Sequence, residues 1–134
     1  MADTFEIEIV TPEKLVVKDV AEEAQIPGKN GYLGILPGHA PLITELAVGE
    51  ITYCLGTQTK HVSVAWGFAE VLPNKVTILA ETAERPDEID VARAERSKQR
   101  CEAELQSGKT DLDYDGLQAA IERADTRIEV AKKQ

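Results

Sequence analysis

Aromatic side chains are scarce in this 134-residue chain: one Trp, three Tyr and two Phe are all it has. Few members of any core can therefore be aromatic. Basic residues are also in deficit, 15 Lys plus Arg against 24 Asp plus Glu, giving a formal net charge of −9. That balance argues against a nucleic-acid partner, because neutralising a phosphate backbone needs a basic face. The only histidines are His39 and His61, and the only cysteines, Cys54 and Cys101, are far apart and lack the close Cys/His spacing of a metal site. Both cysteines read as buried or half-buried thiols in a reducing cytosol. No apolar run approaches the roughly 18 residues that span a bilayer, and the opening MADTFE lacks the basic start of a signal or transit peptide. These features predict a soluble chain that stays in the compartment where it is made. Nucleophile–His–acid order, paired carboxylates in an apolar setting and a Walker loop are all missing, so neither catalytic residues nor a required cofactor are expected.

What is present is unevenly distributed. Seven of nine Gly and five of six Pro lie in residues 1–84, whereas ten of the fifteen Lys plus Arg lie in 85–134. The run GYLGILPGHAPLIT at 31–44 carries most of the local information. Gly28, Gly31 and Gly34 supply turn conformations or close backbone approach, and Pro37 and Pro41 remove amide donors and forbid a helix. A phosphate-cradling loop must lead into a helix whose N-terminus faces the anion, so these prolines exclude that reading. The segment reads as strand, corner, strand, with His39 in a rigid loop. Leu33, Ile35, Leu36 and Leu42 are expected to divide between core and interface.

Before residue 84 the pattern is that of a sheet. Phe5, Ile7 and Ile9 alternate with Glu6 and Glu8, giving one buried face and one wet face. Strands are expected at 4–10, 15–18, 22–26, 31–36, 42–46, 49–55, 59–65, 67–72 and 75–81, with hairpin turns at 55–57 and 73–74. About eight to ten short strands imply a flattened β-sandwich or barrel. After Arg85 the period changes. Asp90 can cap a helix from Val91 to about Gln106, stopped by Ser107 and Gly108. Asp113 can cap a second, in which Leu117, Ile121, Ala124, Ile128 and Ala131 recur at spacings of four and three. The fold class is α+β, mainly β: a sandwich over 1–84 and an antiparallel two-helix hairpin over 85–134. An alanine-rich seam gains little from packing, at roughly 25 cal/mol per Å², so the hairpin is expected to detach and rearrange.

Arg93, Arg96 and Arg100 fall on one stripe of the first helix, and Arg123 and Arg127 lie one turn apart on the second. Like charges at i and i+4 repel mildly, which favours an anion between them. A solvated face balanced by Glu95, Glu102, Glu122 and Glu129 accounts for the same pattern.

The run G-x-x-G-x-L-P-x-H-x-P at 31–41 and the helix opening Ile89-Asp90-x-x-Arg93-Ala94 together resemble the epsilon subunit of bacterial F-type rotary ATP synthases. The resemblance covers the whole chain and extends to VTP at 10–12, Gly67-Phe68, and VTIL at 76–79. It implies a non-catalytic central-stalk subunit of a proton-translocating synthase. The sandwich would dock on the gamma subunit and the c-ring, with Leu33, Ile35, Leu36, His39 and Leu42 as interface residues. When extended, the hairpin would reach the alpha/beta catalytic head and block ATP hydrolysis. In that family the Ile/Leu-Asp-x-x-Arg-Ala motif marks an ATP site between the folded helices. The corresponding residues are Ile89, Asp90, Arg93 and Ala94, assisted by Glu84, Arg100, Arg123 and Arg127, with ATP a regulatory ligand rather than a required cofactor. Membrane association, on the cytoplasmic face of the bacterial membrane, would come only through the complex. Two other readings stand beside this one. A free-standing nucleotide sensor would share the arginine pattern, and a cupin-like enzyme would need a histidine cluster that His39 and His61 do not supply.

Overall fold

The computed structural model describes residues 3–133. Eight strands come first: β1 Phe5–Val10, β2 Leu15–Ala21, β3 Glu23–Gly28, β4 Gly31–Ile35, β5 Leu42–Leu46, β6 Gly49–Leu55, β7 Gln58–Leu72 and β8 Lys75–Glu84. A short 3-10 turn, Pro86–Glu88, leads to helices α1 Val91–Leu105 and α2 Tyr114–Ala131. The sheet runs β2-β1-β8-β7-β5-β3-β4, and β6 pairs with both β3 and β7, so the sheet folds back on itself into the expected flattened sandwich.

Alternation produces the core. In β1, Phe5, Ile7 and Ile9 point inward and Glu6 outward, as the pleat requires. Ile7, Ile9, Ile26, Ile35, Ile51, Ile78, Val62, Val64, Val71 and Val76 are fully enclosed. Each such side chain stabilises the fold by about 1.5–3 kcal/mol relative to exposure. These ten are aliphatic, but the core also takes in two aromatic side chains, Phe5 and Tyr53.

One difference from the sequence expectation lies at Trp66. Strands expected at 59–65 and 67–72 form a single strand, β7, that bends instead of breaking. Trp66 has φ +54° and Gly67 φ +118°. At this bend β7 changes partners, pairing with β6 over 58–64 and with β5 over 67–71, while β8 follows its other edge along both halves. The Trp66 amide donates instead to the Ala47 carbonyl, 3.3 Å away in the β5–β6 connection. Glycine is required next to it: a β-carbon at Gly67 would collide with the Leu79 carbonyl oxygen.

The helices begin where their caps predict. An Asp90 carboxylate oxygen accepts the Arg93 amide at 3.0 Å, and Asp113 accepts the Gly116 amide at 3.0 Å. α1 stops at Gln106, just before Gly108 at φ +74°. Among the described residues of the hairpin only Ala94, Cys101, Ala124 and Val130 are buried, and none belongs to the sandwich core. Val130 lies outside the expected seam yet is 0% exposed. α2 meets two surfaces, α1 on one side and β6, β7 and the 3-10 turn on the other, so its apolar stripe is wider than a two-helix seam.

Candidate functional site

The antiparallel helices bring five arginines to one cleft. Arg93, Arg96 and Arg100 come from α1 and Arg123 and Arg127 from α2, with Ala94, Ser97, Ala120 and Ala124 between them. The space is about 420 Å³, within the roughly 300–1,000 Å³ usual for small-molecule sites. Its small residues leave that space open: side chains at 94, 120 and 124 stop at Cβ, so the arginine forks surround a shallow trough.

The five cations are not equally committed. Arg127 Nε lies 2.6 Å from Glu84 Oε1 at the end of β8. Arg123 lays its guanidinium over the Trp66 ring, 4.9 Å from the centroid. Among the described residues Arg93, Arg96 and Arg100 have no ion-pair partner, and no carboxylate lines the cleft. Among the described residues the one ion pair joining α1 to α2 is Lys98 with Asp125 at 2.6 Å, and it holds the Lys98 ammonium above its usual pKa. Three guanidinium groups without an ion-pair partner among the described residues, converging on one trough, suit a multiply charged anion with several acceptor oxygens.

Of the residues singled out from sequence, the structure gathers Arg93, Ala94, Arg100, Arg123 and Arg127 in the cleft. Ile89, Asp90 and Glu84 are not among its lining residues. Asp90 is occupied in capping α1, and Glu84 in holding Arg127. Arg96 and Ser97 join the site, as the helical spacing of Arg93, Arg96 and Arg100 foreshadowed. Trp66 had no sequence signal, because its contact with Arg123 depends on how the hairpin lies against the bend in β7.

A second tie fastens the end of the hairpin. Lys133 Nζ donates to both Glu50 carboxylate oxygens, at 2.9 and 2.7 Å, and His61 Nδ1 lies 2.9 Å from Oε1. Burial pushes the Glu50 carboxyl up, but the hydrogen bonds from Lys133 and His61 outweigh it and leave its pKa below the ordinary value. At the other end of the linker, Glu88 is held low by hydrogen bonds from Lys14 and from the Arg85 amide.

The corner segment has one enclosed side and one exposed side. Ile35 is 1% exposed and Leu33 packs partly against the core, whereas Leu36 is 59% exposed and Leu42 also faces outward. His39 Nδ1 lies 2.6 Å from the Ala40 carbonyl oxygen in the loop before β5. Ile43, Phe68 and Leu79 add further exposed apolar surface, Phe68 and Leu79 being opposite each other on β7 and β8. Among the described residues no group of His, Cys, Asp or Glu is placed to hold a metal ion, and no helix is long and apolar enough to cross a membrane.

Residues 4–86 match the family described as ATP synthase, Delta/Epsilon chain, beta-sandwich domain, and residues 87–132 match ATP synthase, Delta/Epsilon chain, long alpha-helix domain. The chain is 76% identical over 107 residues to the ATP synthase epsilon chain of Koribacter versatilis, covering 80% of this chain and 75% of that one. It is 44% identical to the epsilon chain of Syntrophobacter fumaroxidans, covering 99% of both. Its fold is similar to a chain in the Euglena gracilis mitochondrial ATP synthase, with TM-score 0.79 and 21% identity, covering 96% of this chain and 81% of that one. A chain of the Tetrahymena thermophila mitochondrial ATP synthase central stalk and c-ring is similar with TM-score 0.59 and 14% identity, covering 96% and 94%.

Proposed function

The chain belongs to the ATP synthase delta/epsilon family, and from that premise we propose that it is a non-catalytic central-stalk subunit whose hairpin binds ATP and restrains hydrolysis. The observation that carries the regulatory part is the convergence of five arginines, three of them without an ion-pair partner among the described residues, in the cleft between α1 and α2. This arrangement exists only while the helices lie side by side. ATP would therefore stabilise the folded hairpin, because a ligand favours whichever conformation binds it better. Hydrolysis by this chain is not part of the proposal: the cleft has cations to hold phosphates but no carboxylate to position Mg²⁺ or activate water.

In the proposed complex the sandwich docks on the gamma subunit and the c-ring through exposed apolar residues such as Leu36 and Leu42. The complex then holds the chain peripherally at the cytoplasmic face of the membrane. At low ATP the hairpin leaves the sandwich and extends toward the alpha/beta head. The ties that hold it are compatible with release: Arg127–Glu84 and Lys133–Glu50 are partly solvent-exposed pairs, a class worth about 0–1 kcal/mol each. The sandwich core contains no hairpin residue, so removal of the chain after Glu84 should leave a folded sandwich that still assembles. ATP hydrolysis by the complex carrying this truncation should rise at low ATP. Unchanged hydrolysis at every ATP concentration would make the hairpin a structural clasp.

A further inference from the structure

Trp66, the single tryptophan, belongs to the sandwich, yet its ring faces a residue of the interhelical cleft. Three observations meet at this position. The residue is non-glycine with φ +54°, a conformation uncommon for a bulky side chain and one that the bend in β7 imposes. It is half-buried, and its partner is the Arg123 guanidinium at 4.9 Å. Arg123 in turn lines the arginine cleft beside Arg93, Arg96, Arg100 and Arg127.

We propose that Trp66 is a positioning residue of the anion cleft, holding Arg123 in place for phosphate from across the sandwich–hairpin boundary. The proposal rests on the reading of the cleft as an ATP site. Its physical basis is the geometry of guanidinium recognition. Stacking uses the face of the planar fork and leaves all five N–H donors free at its edge, so an aromatic platform can orient the group without consuming its hydrogen-bonding capacity. Arg127 is held differently, by an ion pair between its Nε and the Glu84 carboxylate at 2.6 Å. A long, unrestrained arginine loses rotamer freedom on binding an anion, and a platform that has already restricted it removes part of that cost. Because the platform sits on β7 and the arginine on α2, the same contact makes phosphate affinity depend on the hairpin lying against the sandwich. An extended hairpin would keep its arginines but lose the platform.

The test is calorimetric titration of the full chain with ATP and, separately, with inorganic tripolyphosphate. The variants are Trp66→Leu, Trp66→Phe, Arg123→Ala and the double variant Trp66→Leu/Arg123→Ala. Trp66→Leu should weaken both ligands about three- to tenfold, as expected for loss of a cation–π contact, and Trp66→Phe should recover most of the loss. In the Arg123→Ala background the leucine substitution should have no further effect, which separates positioning from general loosening of the hairpin. If the tryptophan variants do not fold, the indole N–H resonance of Trp66 in the unsubstituted chain decides: it should shift with ATP and saturate with the calorimetric affinity. Equal affinity in Trp66→Leu, additive effects in the double variant, or an unmoved indole signal during binding would overturn the inference alone. No binding of either ligand to the unsubstituted chain at millimolar concentration would defeat the reading of the cleft itself.

Discussion

Arg127 Nε lies 2.6 Å from the Glu84 carboxylate, so an arginine of the interhelical cleft is tied directly to the last residue of the last strand. Arg123 repeats the arrangement one turn earlier with Trp66. Two of the five cleft cations are thus tied to the sandwich. On the proposed reading of the cleft, hairpin docking and anion binding would be linked through these same side chains, and what weakens one should weaken the other.

The bend in β7 depends on Gly67. A β-carbon there would meet the Leu79 carbonyl oxygen, and φ +118° is hostile to any other residue. Gly67→Ala should destabilise the chain by about 2–4 kcal/mol or prevent folding, the range for backbone strain combined with overpacking. Urea denaturation measures it, and a loss below about 0.5 kcal/mol would show that the bend can re-form around a side chain.

The Lys133–Glu50 tie should fail in acid. Lys133 and His61 hold the Glu50 carboxyl below its ordinary value of 4.5 despite burial. A carboxylate with a depressed folded-state pKa contributes stability that is present above the unfolded value and lost as pH falls through the lowered one. The stability gap between the chain and Glu50→Gln should be present at neutral pH and shrink as the pH falls through the lowered pKa of the carboxyl. A gap that does not change with pH would remove Glu50 from the docking contact.

Adjacent residues of the corner segment should separate stability from assembly. Ile35 is enclosed in the core and Leu36 faces solvent. Ile35→Asp should unfold the sandwich, since it buries an unpaired carboxylate, whereas Leu36→Asp and Leu42→Asp should leave its thermal midpoint within a few degrees. The latter two should weaken binding to the gamma and c-ring partners in a reconstitution assay. Full assembly with either variant would place the docking surface elsewhere, with Ile43, Phe68 and Leu79 the next face to test.

Much of the architecture was legible because it rests on local rules. Alternation of Phe5, Ile7 and Ile9 specifies a strand with one buried face, and Asp90 and Asp113 mark helix starts because only a short acceptor satisfies the first free amides. Trp66 escaped those rules. A tryptophan followed by glycine reads as a break between strands, and only long-range pairing with β8 keeps β7 continuous through it. The arginine stripes were visible from helical spacing, but which arginines find a partner was not. Glu84 and Trp66 are brought to the hairpin by tertiary packing, and Val130 is buried by a surface that no helical period encodes.

The most direct test of the account is calorimetric titration of ATP into the intact chain and into Arg127→Ala. The account predicts one saturable site in the unsubstituted chain, weakened in the variant by about 1.5–3 kcal/mol, the range for a hydrogen bond to a charged group. Loss of the exposed tie to Glu84 should at the same time cost the nucleotide-free chain no more than about 1 kcal/mol. Equal ATP affinity in the two proteins, or no binding to either at millimolar ATP, would contradict the account and reduce the five arginines to a solvated face.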